Sequence, residues 1–333
     1  MHSLSAMIIV VILLALAFDF INGFHDTANS IATSVSTRVL TPRQAIIMAA
    51  GLDLLGALLF SKVADTISTG IVSVSIPNYV VISALLAAIV WNLFTWYFGI
   101  PSSSSHALMG ALVGSSLSYA LQWGVVKWDG LLNKVVIPLI TSPVIGFILG
   151  FSVMKLLFYL LKPFSQTIVN KWFSKLQIVS AASMALSHGM NDAQKSMGII
   201  TLALISAGYW QVGHGIPLWV KIMCAIAIAS GVSVGGWKII KTMGMNMIKL
   251  QPINGFAAET SAALVILFST LSGKPVSTTH IISSAIMGVG ASKRLSAVRW
   301  ALARNIVWAW LLTIPVTGLL GALVTLLLKL AIA

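Results

Sequence analysis

Acidic residues are almost missing from this chain. It has only seven Asp and Glu in 333 residues, and 8% charged residues of any kind, against roughly 25% in soluble domains. With 58% hydrophobic residues and a mean hydropathy of +0.98, a soluble fold could not hide its apolar surface. The single cysteine, Cys224, lies in an apolar stretch, which excludes an internal disulfide framework and reads as a small packing residue. No Cys/His spacing suits zinc and no phosphate-cradling P-loop is present, so neither metal hydrolysis nor ATP drive is supported. The net charge of +13 does not indicate nucleic acid either, because the basic residues are dispersed between apolar spans.

What is present is a series of stretches near the ~20 residues that cross a bilayer: 5–18, 44–61, 79–98, 135–154, 177–208, 219–237 and 305–328. The first continues too far to be a removed signal peptide. The expected class is an all-α polytopic membrane protein. Basic residues report its orientation. With the N-terminus outside, and 79–98 with 104–121 and 255–272 with 278–291 folding as re-entrant-type hairpins, thirteen cations fall inside and five outside, as the positive-inside rule asks. Both termini are then outside.

Two short motifs recur. Gly23-Phe-His-Asp26-Thr-Ala-Asn29-Ser30 returns as Gly189-Met-Asn-Asp192-Ala-Gln-Lys195-Ser196, and Pro101-Ser-Ser-Ser-Ser-His106 returns as Pro275-Val-Ser-Thr-Thr-His280. The pairings Gly23 with Gly189 and Pro101 with Pro275 set two registers that map one half of the chain onto the other. The halves are 1–161 and 177–333, joined by a Lys-rich cytoplasmic connector at 162–176. The charge pattern turns the second half upside down relative to the first. Each half is expected to have a broken first helix, interrupted at Asn22-Gly23 in the first, and a hairpin with a Ser/Thr-rich tip. In transporters built this way, the binding site lies between the repeats.

Each tip stops an apolar segment at a proline, passes through hydroxyl residues and restarts a helix, since Ser and Thr are good N-caps. A helix start presents free N–H groups and the positive end of the dipole. Ser102, Ser103, Ser104, Ser105, Ser277, Thr278 and Thr279 are therefore candidates for a tetrahedral oxyanion. Asp26 and Asp192 lie in long apolar runs, where an ionised carboxylate costs at least ~2.5 kcal/mol on insertion scales and must face a partner or a wet cavity. Asn22, Thr27, Asn29 and Asn191 add neutral oxygen, so these acids suit a hard cation or a proton. Asp53 and Glu259 are further acids without a symmetric partner: counting back equally far from the two tip histidines finds Glu259 in one half and Leu85 in the other. Asp19 is expected to hydrogen-bond unwound backbone near the break. His106 and His280 read as braces for the tips or as a proton relay, while His2, His188 and His214 give weaker signals.

Taken together, Gly23-Phe-His-Asp-Thr-Ala-Asn-Ser-Ile-Ala-Thr33, His188-Gly-Met-Asn-Asp-Ala-Gln-Lys-Ser-Met-Gly198 and Pro275-Val-Ser-Thr-Thr-His280 resemble the inorganic phosphate transporter (PiT) family over essentially the whole chain. The resemblance implies secondary-active uptake of inorganic phosphate coupled to Na⁺ or H⁺ at the plasma (inner) membrane, with no organic cofactor and no metal other than Na⁺. It points to Asp26, Asp192, Asp53, Glu259 and the two tips as functional residues. Partners are then phosphate, the coupling cation and the bilayer, with no nucleic acid and with homo-oligomerisation left open. Some family members carry Glu where this chain has Leu85, and Lys195 stands opposite Asn29; an ammonium there could replace a bound cation, which leans toward H⁺ coupling. Sulfate or a metal-phosphate complex remains an alternative cargo. An anion channel, and an intramembrane hydrolase using Ser105 or Thr279 with a tip histidine, are rivals of other classes.

Overall fold

The computed structural model describes residues 5–73 and 75–332, so His2 lies outside the described residues. Among these, twelve helices run in the order α1 (Ala6–Ser36), α2 (Pro42–Leu59), α3 (Lys62–Gly70), α4 (Asn78–Phe98), α5 (Ser104–Ala120), α6 (Trp128–Leu161), α7 (Gln166–Ser206), α8 (Leu218–Val234), α9 (Trp237–Asn246), α10 (Pro252–Leu271), α11 (Thr278–Lys293) and α12 (Trp300–Ile332). No strand forms among the described residues. Six of the helices, α1, α2, α4, α6, α10 and α12, are long and apolar enough to cross a membrane, and the bent pair α8–α9 makes a seventh span if counted as one. The expected span at 177–208 falls in α7, which is too polar to qualify by composition because His188, Asn191, Asp192, Gln194 and Lys195 all lie on it. These residues are buried in protein instead.

Local chemistry explains the boundaries. Pro42 opens α2 behind a reciprocal Thr41–Gln44 capping box. Both hairpins turn alike: α4 and α10 end at Gly99 and Gly273, each with φ +67°, a left-handed conformation that glycine adopts without strain. A proline follows two residues later, and then Ser103 and Ser277 cap α5 and α11 by accepting from the N–H groups of His106 and His280, each at 3.2 Å.

The expected break in the first helix of each half is not there. α1 runs unbroken for 31 residues and α7 for 41. Gly23 serves packing: a Cβ on it would sit 2.3 Å from the Ile228 carbonyl oxygen, and one on Gly231 would sit 2.0 Å from that of Phe20. The second half repeats this crossing with Gly189, whose Cβ would lie 2.2 Å from the Asp53 carbonyl oxygen, and Gly56, whose Cβ would lie 2.3 Å from that of Leu186. Small residues let helix backbones approach closely in membranes. The interruptions fall in the second span of each half, between α2 and α3 at Phe60–Ser61, and between α8 and α9, where Gly235 and Gly236 bring a 65° bend. Residues 166–176 of the expected connector are the first turns of α7, with Ser165 as its cap.

Packing is reciprocal between the halves. α1 packs on α8 and α2 on α7; α5 packs on α12 and α11 on α6; within the halves α4 lies on α1 and α10 on α7. Each contact occurs twice with the halves exchanged. The buried apolar side chains segregate into two bodies, one reaching Phe18 of α1 and Ala193 of α7, the other reaching Ala28 of α1 and Ala185 of α7. Between them α1 and α7 carry a largely polar layer, including Asp19, Asn22, His25, Asp26, His188, Asn191 and Asp192.

Candidate functional site

The polar layer is where the recurring motifs meet. The tips face one another: the Ser105 hydroxyl donates to the Val276 carbonyl oxygen at 2.9 Å, and the His106 and His280 rings meet edge to face at 4.5 Å between centroids. His280 stacks on Trp310 at 4.0 Å, and the Trp310 indole donates to the Pro101 carbonyl oxygen at 3.1 Å, so one α12 side chain engages both tips. Helix geometry leaves the N–H groups of Ser104, Ser105, Thr278 and Thr279 without intrahelical acceptors.

The second tip closes directly on the acids. Thr278 donates to Asp192 Oδ2 at 3.5 Å and Thr279 to Asp26 Oδ1 at 3.4 Å, while Asn29 Nδ2 donates to both threonine hydroxyls at 3.2 and 2.9 Å. Asn22 donates to Asp192 Oδ2 at 3.3 Å. Lys195, fully buried, places its ammonium 2.8 Å from Asp192 Oδ1. The first tip is further from this arrangement. Ser102 bonds Thr95 at 2.8 Å and His25 Nε2 at 3.4 Å, Ser103 is spent as a cap, and the Ser104 hydroxyl is buried without a partner in the protein.

His188 is the central residue that sequence reasoning passes over. Its Nδ1 lies 3.0 Å from Asp53 Oδ1 and its Nε2 3.5 Å from Asp192 Oδ2. A histidine four residues before Asp192 shares its helical face, and that spacing is the available signal. Ligand atoms of Asp26, His188 and Asp192 lie within 4.8 Å of one another, a donor set of two carboxylates and an imidazole that fits a small cation. His25 braces Asp26, with Nδ1 2.6 Å from Oδ1 and Nε2 3.0 Å from the Thr95 hydroxyl. Asn191 takes the matching position in the other half, donating to Thr270 at 2.9 Å.

Some candidates stand apart. Thr27 turns its hydroxyl to the Gly23 carbonyl oxygen at 2.6 Å and away from the acids, and Asn191 serves the hairpin. Asp19, with no unwound backbone beside it, accepts from Ser196 at 2.7 Å. Glu259 forms a separate cluster, accepting from Thr33 and Ser180 and, at 3.3 Å, from Gln177. In the two registers that relate the halves, the counterparts of Glu259, Thr33, Ser180 and Gln177 are Leu85, Ile199, Leu14 and Val11, all in one apolar body. The asymmetry seen at Leu85 thus extends over a whole constellation. No candidate residue is more than 3% exposed, so the cluster is buried inside the protein.

A model of the phosphate transporter family matches residues 22–321. The chain belongs to the phosphate transporter family. Similar curated proteins include a "probable low-affinity inorganic phosphate transporter" of Bacillus subtilis (strain 168), 48% identical over 97% of both chains, and one of Rhizobium meliloti (strain 1021), 48% identical over 95% of both. Among solved structures, one titled "The sodium-dependent phosphate transporter" superposes with a TM-score of 0.88 at 28% identity, covering 98% of this chain and 100% of the other. This family member is a transporter and not an enzyme, which removes the hydrolase reading, and its apolar helices make it a multi-pass membrane protein.

Proposed function

We propose that the protein is a secondary-active symporter carrying inorganic phosphate into the cell across the plasma membrane, by alternating access between two inverted repeats. The observation that carries this reading is the approach of Thr278 and Thr279 to both Asp192 and Asp26: oxyanion donors and cation-seeking acids share one buried cluster. Phosphate accepts from the helix-start N–H groups and hydroxyls of Ser104, Ser105, Thr278 and Thr279. His106, His280 and Trp310 hold the two tips together. The coupling cation or proton is taken up at Asp26, His188 and Asp192, with Asp53 fixing the imidazole from behind.

Coupling follows from charge. Phosphate cannot settle against two carboxylates unless positive charge enters with it, and buried carboxylates without a cation carry a large desolvation penalty. Loaded and fully empty carriers therefore rearrange more readily than half-loaded ones. Lys195 places an ammonium beside Asp192, where the symmetric position holds Asn29. This favours a proton as the coupling ion, while the sodium-dependent structural relative favours Na⁺ for the remaining site at Asp26. Labelled-phosphate uptake into vesicles, with the Na⁺ and pH gradients varied independently, separates the two. Proton coupling is expected to give uptake above equilibrium from a pH gradient alone, and strong stimulation that requires Na⁺ at fixed pH would sink it. Excess sulfate is expected not to compete, since fully ionised sulfate brings no proton to donate to a carboxylate.

A further inference from the structure

A polar cavity lies away from the transport cluster, where the loop between α9 and α10 meets the junction of α11 and α12. It encloses about 620 Å³. Four cations from these two segments line it: Lys249 on the first, and Lys293, Arg294 and Arg299 on the second. No carboxylate lines it, and none of the four forms an ion pair among the described residues. The chain has no acid to spare for them. Asp19, Asp26, Asp53, Asp192 and Glu259 are buried in the interior, and Asp65 and Asp129 are exposed on α3 and α6, outside this lining.

The other half shows that this charge is an addition rather than a requirement of the fold. The Arg299 N–H closes the loop by donating to the Met247 carbonyl oxygen at 3.2 Å, and in the first half the Ser73 N–H and the Val125 carbonyl oxygen close the equivalent loop at 2.8 Å. In the register that pairs Pro101 with Pro275, the counterparts of Lys249, Lys293, Arg294 and Arg299 are Ser75, Tyr119, Ala120 and Val125. At these four positions the second half carries cations and the first half carries none. The wall is also partly apolar, with Phe158 of α6, Met245 and Leu250 beside the cations. Free phosphate needs no such wall, whereas a headgroup joined to glycerol and acyl chains does. Basic pockets between membrane helices bind anionic headgroups in this way.

We propose that this pocket binds the phosphate headgroup of an anionic phospholipid, independently of the transport cluster. The test uses the full-length protein purified in detergent and the triple variant K249Q/R294Q/R299Q, whose substitutions are all at exposed positions. Thermal unfolding is followed on adding phosphatidylglycerol, phosphatidylcholine or inorganic phosphate. Phosphatidylglycerol is expected to raise the wild-type midpoint by a few degrees and phosphatidylcholine to leave it unmoved, with the shift lost in the variant. Inorganic phosphate is expected to act equally on both proteins through the transport cluster. Equal shifts from the two lipids, or a phosphatidylglycerol shift that survives in the variant, overturn the proposal. So does a variant that loses its response to inorganic phosphate and keeps its response to lipid, because the pocket's ligand is then the free anion. Uptake in the variant that remains cation-driven keeps the transport reading intact under any of these results.

Discussion

Lys195 is a residue at which the two halves differ in charge, since Asn29 holds the matching position. A buried ammonium 2.8 Å from a buried carboxylate is tolerated because the two charges offset one another, and removing one partner of such a pair typically costs about 3–5 kcal/mol. Lys195→Asn is therefore expected to destabilise the purified protein in choline chloride and to recover much of that loss in NaCl, since the vacated position resembles the Asn29 side; wild type is expected to show a smaller gain from NaCl than the variant. Equal melting in the two salts would remove the cation-substitute role. Asp26→Asn and Asp192→Asn are expected to abolish gradient-driven uptake while leaving folded protein in the membrane, and normal coupled uptake in both would overturn their role. At Glu259 the apolar mirror suggests its own control. Glu259→Gln keeps hydrogen-bonding capacity toward Thr33, Ser180 and Gln177, whereas Glu259→Leu leaves those polar groups unpaired at about 1–3 kcal/mol for each, so the Leu variant is expected to melt well below the Gln variant.

At the scale of elements, the hairpins are readable because their signals are local: a glycine able to take positive φ, a proline, then a serine whose side chain caps the next helix. The breaks escape the sequence for the opposite reason. Asn22-Gly23 looks like a helix breaker, but the chemistry of that glycine is settled by Ile228, in the other half of the chain, and such a contact leaves no local trace. His188 is missed likewise, because its partner Asp53 is on another helix and only its spacing to Asp192 is visible. The crossings give a direct test. Gly189→Ala places a methyl 2.2 Å from a carbonyl oxygen and is expected to lower stability by about 1–3 kcal/mol, the usual range for overpacking. Gly51→Ala, on α2 with nothing within 4 Å of the added carbon, is expected to be neutral or to stabilise by up to about 1 kcal/mol. Thermal melts of the two variants side by side check the contrast.

For the whole molecule, composition carries the fold class, and charge placement gives an expected orientation that labelling tests. Leu121 and Leu295, which pair in the same register as the tip prolines and are 80% and 68% exposed, end the two hairpins at equivalent positions. With inverted halves, Leu121→Cys is expected to react with a membrane-impermeant maleimide on intact cells and Leu295→Cys only after permeabilisation; labelling of both from one side would mean that the repeats are parallel. Background is low because Cys224 is buried.

The division of the interior into two apolar bodies has a mechanical consequence. Close-packed apolar cores resist deformation, so compliance in this molecule is concentrated in the polar layer between them, where hydroxyls, amides and carboxylates can exchange partners with water or a solute. α1 and α7 pass through that layer like two axles, anchored at each end in a stiff body. On the proposed reading, cargo seated between the tips sits in this softer bearing between two stiff bodies, and its charge sets how freely the bearing turns.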